Sequence, residues 1–194
     1  REFILKTPSY TKLLSSGELA RRVGKSYAML KSCRLCPRNC GVNRLRGERG
    51  FCRIGKIVGV ASANLHMGEE PPITGTRGSG TIFFTGCNLR CHFCQNFPLS
   101  RMGHGVPASP HVLAEKMLSL QKRGAHNINL VTPSHVVPQF LAGLAIAARE
   151  GLTLPIVYNS SGYEGMEALA LLDGVVDIYM PDIKYATRDA AARC

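Results

Sequence analysis

The chain has 194 residues, 45% of them hydrophobic and 19% charged, which is too apolar for a disordered segment and enough to bury a core. No apolar run approaches the ~20 residues that span a bilayer, and no charged-then-apolar leader opens the sequence, so a soluble, cytoplasmic protein without membrane contact is expected. The formal charge of +11 is uneven: residues 1–60 carry 14 Lys and Arg against 3 Asp and Glu, and residues 61–194 carry 10 against 10.

In chain order, Leu19, Val23, Tyr27 and Leu30 step at helical spacing and predict a helix over residues 16–30, with Ser15 or Ser16 as its cap. Residues 33–53 hold few large apolar side chains and cannot bury a core of their own, so they read as a small Cys-rich knuckle that needs a metal staple. An apolar run over 56–65 predicts a strand, and residues 68–80, with Pro71, Pro72 and several glycines, a long loop. The Gly-rich stretch 76–81 lacks the Lys-Ser/Thr ending of a phosphate loop and reads as a turn. From residue 81, strands at 81–85, 127–131, 155–159 and 176–180 alternate with helices at 110–123, 136–150 and 165–172. That alternation implies an α/β fold with a parallel sheet, and the near-continuous apolar strands imply cover on both faces. Right-handed crossovers would curl the strands toward a barrel or a doubly wound sheet. The strand ends, at 87–94, 132–135, 159–161 and 182–184, are polar and point to one face, where function is expected. The expected organisation is therefore a helix and Cys-rich knuckle over 1–60 and an α/β core over 61–194.

Eight cysteines fall at 33, 36, 40, 52, 87, 91, 94 and 194. In a reducing compartment such clusters favour metal or iron-sulfur ligation over disulfides, and Cys87, Cys91 and Cys94 cannot all pair among themselves. Three thiolates in a C-x3-C-x2-C loop can hold three irons of a 4Fe-4S cube and leave the fourth open to a ligand. Cys33, Cys36, Cys40 and Cys52 supply four thiolates, enough to close a tetrahedral zinc site or a second iron-sulfur cluster. Either centre carries a net charge of about −2, which Arg34, Arg38, Arg44 and Arg46 would offset.

The segment GCNLRCHFC at 86–94 resembles the defining signature of the radical S-adenosylmethionine (SAM) superfamily, including the aromatic Phe93 before the third cysteine. SGTIFF at 79–84, CQN at 94–96, AHNINLVTPSH at 125–135, VYNSSGY at 157–163 and VDIYMPDIKY at 176–185 resemble successive blocks of the pyruvate formate-lyase activating enzyme-like branch, in particular its uncharacterised activase paralogue. The resemblance covers residues 33–185. It implies a partial (β/α) barrel of about four βα units with a 4Fe-4S cluster at its C-terminal face. In that superfamily the open iron chelates the amino and carboxylate groups of SAM, and an electron from the cluster cleaves the sulfonium to give a 5'-deoxyadenosyl radical that abstracts hydrogen. The implied partners are a reductant such as flavodoxin or ferredoxin and, as substrate, a glycine of a partner protein.

Carried across residue by residue, Cys87, Cys91 and Cys94 match the cluster ligands and Phe93 the residue lining the adenine site. Where many relatives carry Gly-Gly-Glu to receive the SAM amino group, this chain has Thr132-Pro133-Ser134, whose hydroxyls at Thr132 or Ser134 could accept the same bonds. Asn159 matches a polar residue near that amino group, and Lys184 a lysine that pairs with the SAM carboxylate. Asp182 is expected to cap the next helix rather than orient Lys184, His92 to be exposed, and His135 to act as a supporting donor rather than a base. Family members continue through two further βα units, so a C-terminal truncation is expected, with a raw edge strand and poor activity. The alternative reading is a non-catalytic metal-sulfur module that binds nucleic acid through its basic N-terminal region, or an enzyme acting on RNA. Both predict salt-sensitive binding, and nucleic acid is the less favoured partner because no aromatic residues alternate with the charges.

Overall fold

The computed structural model describes residues 7–192; Cys194 lies outside them. The helix predicted over residues 16–30 is α2 (Glu18–Ala28), and a separate short helix, α1 (Tyr10–Ser15), precedes it. The break is Gly17, the N-cap of α2 in place of Ser15 or Ser16, with a φ of +74° that glycine adopts without a Cβ clash. A 3-10 turn, Met29–Ser32, delivers the chain to Cys33, and residues 33–57 hold no regular element but one further 3-10 turn at Arg44–Arg46.

The remainder runs β1 (Val58–His66), α3 (Pro71–Thr74), β2 (Ser79–Phe84), α4 (Phe97–Ser100), β3 (Val106–Ala108), α5 (Pro110–Lys122), β4 (Ile128–Val131), α6 (Val137–Arg149), β5 (Ile156–Ser160), α7 (Met166–Ala170), β6 (Ile178–Pro181) and α8 (Arg188–Ala192). These strands form one six-stranded sheet in the order β3-β1-β2-β4-β5-β6. Strands β2, β4, β5 and β6 are parallel, as the βα alternation predicts, whereas β1 pairs antiparallel with β2 and β3 antiparallel with β1. The fold is thus mixed α/β with a mostly parallel sheet that is open rather than closed into a barrel.

Register decides which residues face the core. Ile82, Leu130 and Tyr158 are lateral neighbours across β2, β4 and β5, and all three are buried in the main core with Leu113 and Met117 of α5 and Phe140 and Leu144 of α6. The adjacent row, Phe83, Val131 and Asn159, therefore faces the opposite side of the sheet. Helix α5 packs on α6, and α2 lies on α6. Close approach of the first pair depends on Gly143, where an added Cβ would stand 2.9 Å from the Leu113 Cβ. The N-terminal segment is tied to the base of the sheet by polar contacts. Asp177 accepts from the Ser9 amide and hydroxyl and from the Ile156 amide, and the buried Tyr10 hydroxyl donates to the Leu152 carbonyl at 2.9 Å.

Strand β6 stands at the open edge, with Tyr179 46% exposed, so it lacks the two-sided cover that its apolar run suggests. No helix among the described residues is long and apolar enough to cross a membrane. Gly143→Val would gain no space from the helices it separates, and overpacking of this kind costs about 1–3 kcal/mol. A lowered midpoint in denaturant unfolding is expected, and an unchanged midpoint would contradict the close packing of α5 on α6.

Candidate functional site

Strand β2 ends at Phe84, and Thr85-Gly86 turns the chain into the cysteine loop. Gly86 has a φ of +75°, and a Cβ there would lie 2.4 Å from the Cys52 carbonyl oxygen, so the loop bearing Cys87 packs directly on the N-terminal cysteine segment. The loop then overhangs a cleft of about 550 Å³ on the face of the sheet opposite α5 and α6. Cys87, Cys91, Cys94 and Phe93 line it from the loop, Thr132 from the end of β4, Asn159 and Ser160 from β5, Ser161 from just after it, and Asp182 and Lys184 from beyond β6. Phe83 and Val131 give it an apolar floor, so the ends of four parallel strands meet there, in the usual place for a ligand site in an α/β sheet.

The loop thiols are held by local contacts. The Leu89 amide donates to Cys87 Sγ at 3.3 Å, and Cys94 Sγ lies 3.3 Å from the Ser100 hydroxyl. Burial pushes the Cys87 thiol up to about 11, the Leu89 amide partly offsets this, and Cys91 and Cys94 add to it. A metal deprotonates a coordinating thiol outright, so the raised value does not bar Cys87 from ligation. Among the described residues no three His, Cys, Asp or Glu side chains converge where one metal ion could be held. A cube makes a different demand, because each of its irons takes one thiolate and the three sulfurs bind separate corners rather than one ion. The three loop cysteines all line the same cleft.

Phe93 is 59% exposed and meets Tyr185 edge to face, with ring centroids 5.7 Å apart. Thr132 has a φ of +52°, a left-handed conformation unfavourable for a β-branched residue and of a kind that concentrates at functional sites. Its amide donates to the Asn159 carbonyl at 2.7 Å, which fixes the ends of β4 and β5 together. Lys184 forms an ion pair with Asp182 at the cleft edge. Asp182 thus orients Lys184 and is not the cap of the following helix, where the Thr187 hydroxyl accepts from the Ala190 amide.

Ser134 does not reach the cleft. It is buried and its hydroxyl donates to Glu164, because the left-handed turn at Thr132 leads the chain away from the cleft. Of the two hydroxyls expected to replace the acidic residue, only that of Thr132 belongs to a cleft-lining residue. His92 is exposed, whereas His135 is buried, with Nε2 2.9 Å from the Thr85 carbonyl. Burial lowers its pKa to about 4, so it is a neutral donor that supports the strand before the cysteine loop. His66 and Glu69 also line the cleft, from the end of β1 and the turn beyond it. Burial raises the Glu69 carboxyl and His66 opposes the shift. Neither residue belongs to a motif, and the antiparallel placement of β1 that brings them there has no mark in the local sequence.

The four N-terminal cysteines surround a second, much smaller cavity together with Arg38, Arg44, Phe51, Asn88 and His135. Burial raises the thiols of Cys36 and Cys52, and the neighbouring thiols add to the shift at both. Gly50 leaves room for Cys40, since a Cβ at residue 50 would lie 2.8 Å from Cys40 Sγ. Arg44 is 1% exposed; its Nε and Nη2 donate to the Gly55 carbonyl at 3.1 and 2.9 Å, and its Nη1 donates to the His135 carbonyl at 2.9 Å and lies 3.8 Å from Cys33 Sγ. Arg38 stacks on Phe51 at 3.9 Å and donates to the Asn88 carbonyl. The other two arginines expected to offset the thiolates do not line this cavity: Arg34 pairs outward with Glu167, and Arg46 is exposed.

The uncharacterized protein MJ0674 of Methanocaldococcus jannaschii is 36% identical over 172 residues, which cover 85% of this chain and 49% of that protein. The uncharacterized protein MJ0808 of the same organism is 25% identical over 169 residues, covering 78% of this chain and 49% of its own length. The chain therefore spans about half the length of the curated relatives it matches. No family model and no solved structure matches it.

Arg44→Met removes a charged donor from the Gly55 carbonyl, the buried His135 carbonyl and Cys33 Sγ. Hydrogen bonds to charged groups are worth about 1.5–3 kcal/mol, so a loss of at least ~2 kcal/mol is expected in denaturant unfolding, with partial recovery in Arg44→Lys. A Met variant as stable as the parent would contradict the role given to Arg44.

Proposed function

We propose that this chain carries the cluster- and SAM-binding half of a radical SAM enzyme, with a 4Fe-4S cluster on Cys87, Cys91 and Cys94 and the α/β core as a partial barrel of that type. The observation that carries the reading is the C-x3-C-x2-C loop leaving β2 directly into a cleft that gathers the C-terminal ends of all four parallel strands. When bound, such a cluster supplies one electron and an open iron, which together cleave the SAM sulfonium for hydrogen abstraction from a substrate.

The chain's own residues bind, orient and exclude water. The Lys184 ammonium, steered by Asp182, offers a cation to the SAM carboxylate, and the Thr132 hydroxyl and Asn159 offer acceptors to its ammonium. Phe93 presents a ring to the adenine, and Phe83 with Val131 keeps the floor apolar, which strengthens each polar contact above it. The four N-terminal cysteines would hold a second centre, iron-sulfur rather than zinc, because no three thiols among the described residues converge on a single ion, and Arg44 would be its buried counter-charge. A flavodoxin- or ferredoxin-type donor would deliver electrons, and a glycine in a partner protein is the substrate class that the sequence resemblance favours.

Anaerobically reconstituted protein with a chemical reductant and SAM should release 5'-deoxyadenosine, and Cys91→Ala should reduce it to background. Lys184→Ala should raise the SAM concentration needed by about tenfold, the loss of one charge-assisted contact. Product formation in the Cys91 variant equal to the parent would sink the assignment.

A further inference from the structure

A second recess, of about 430 Å³, lies on the other side of the cysteine loop from the cleft. Arg49, Arg53 and Arg101 line it, and Arg90 joins Arg53 and Arg101 in a smaller adjoining hollow. Neither hollow is lined by an Asp or a Glu, and none of the four arginines forms an ion pair among the described residues. Arg53 donates to the Arg101 carbonyl, and Arg101 donates through Nη2 to the carbonyls of Arg90 and Cys91, which brings the arginine-bearing segments together. The Arg101 Nε is buried and makes no hydrogen bond among the described residues. The same guanidinium stands 5.6 Å over the Phe97 ring, which fixes its position at the recess.

The wall behind these cations is apolar. Ile57, Met102 and Val106 are three of the nine large hydrophobic side chains that stand exposed among the described residues, at 46%, 58% and 60%, and all three line this one recess. Its floor is kept thin by Gly59 and Gly105, where an added Cβ would come within 2.1 Å of the Thr85 hydroxyl and 2.8 Å of the Val60 carbonyl. A cationic rim over an exposed apolar wall suits a ligand with an anionic head and an apolar body.

We propose that this recess binds an organic phosphate, its phosphoryl group held by Arg49, Arg53 and Arg101 and its apolar part laid against Ile57, Met102 and Val106. A phosphate monoester carries close to two charges and three acceptor oxygens at neutral pH, which match several guanidinium forks at once, whereas a single carboxylate leaves most of them unmet. The basic excess of the first 60 residues, which the cleft does not use, has a task here. The proposal does not depend on what the cleft binds.

Isothermal titration of the 194-residue chain with 1-naphthyl phosphate, inorganic phosphate and 1-naphthol tests it. The naphthyl phosphate should bind more tightly than phosphate, with 1-naphthol weakest. The double variant Arg49→Gln/Arg53→Gln should weaken both phosphates by at least about tenfold, and Met102→Ser should weaken only the naphthyl ester. Unfolding midpoints measured alongside separate lost binding from lost fold. Equal affinity in parent and double variant, or no preference for the ester over phosphate, would overturn the proposal. So would the absence of phosphate binding alongside arginine-dependent binding of an acidic redox protein, which would make the recess a protein-docking face.

Discussion

Among the described residues Arg44 is a buried cation with no carboxylate paired to it, and the cysteine-rich segment and the sheet meet through it. Its guanidinium joins the Gly55 carbonyl, the His135 carbonyl and the edge of Cys33, and the His135 ring in turn reaches the Thr85 carbonyl at the entrance to the Cys87 loop. Stranding a charge in the interior costs several kcal/mol unless opposite charge or full hydrogen bonding answers it. Three bonds to carbonyls answer part. Four thiolates on a metal centre, ringed around the same cavity, would supply the negative charge that completes it. In that account the N-terminal segment sets the position of the loop above the cleft, and Gly86 against the Cys52 carbonyl is the contact through which it does so.

The cleft follows from strand direction. Parallel strands β2, β4, β5 and β6 release their chains at one end of the sheet, so residues distant in sequence, from Cys87 to Lys184, reach one concavity. The helices cover the opposite face, where Ile82, Leu130 and Tyr158 are buried, and this leaves the Phe83, Val131 and Asn159 row to form floor and wall. Holding Thr132 in a left-handed conformation costs of order 1–3 kcal/mol. Its bond to Asn159 and the packing of the buried turn that follows maintain it.

The parallel strands and α5 and α6 were legible in the sequence because each is a long apolar run with its own period, and the cysteine groups because thiol chemistry has few alternatives in such spacing. Pairing partners were less legible. Strand β1 reads correctly as a strand, yet nothing in its residues says that it runs antiparallel to β2, and so His66 and Glu69 could not be assigned to the cleft. Strand β3 is three residues long with a proline in its centre, too short for any period. Helix α1 lies ahead of the apolar spacing that marks α2 and is too short to carry a period of its own. Ser134 and Asp182 were illegible for one reason: a polar side chain near a strand end has several hydrogen-bond partners within reach, and backbone turns such as Thr132 decide among them.

The central claim is that the cysteine loop presents an open iron to SAM, and electron paramagnetic resonance of the anaerobically reconstituted, reduced chain tests it most directly, with spectra taken before and after SAM is added. The account predicts a reduced 4Fe-4S signal that changes when SAM binds and is lost in a Cys87, Cys91 and Cys94 triple alanine variant. A folded chain that takes up zinc alone, or whose cluster signal does not respond to SAM, would contradict it.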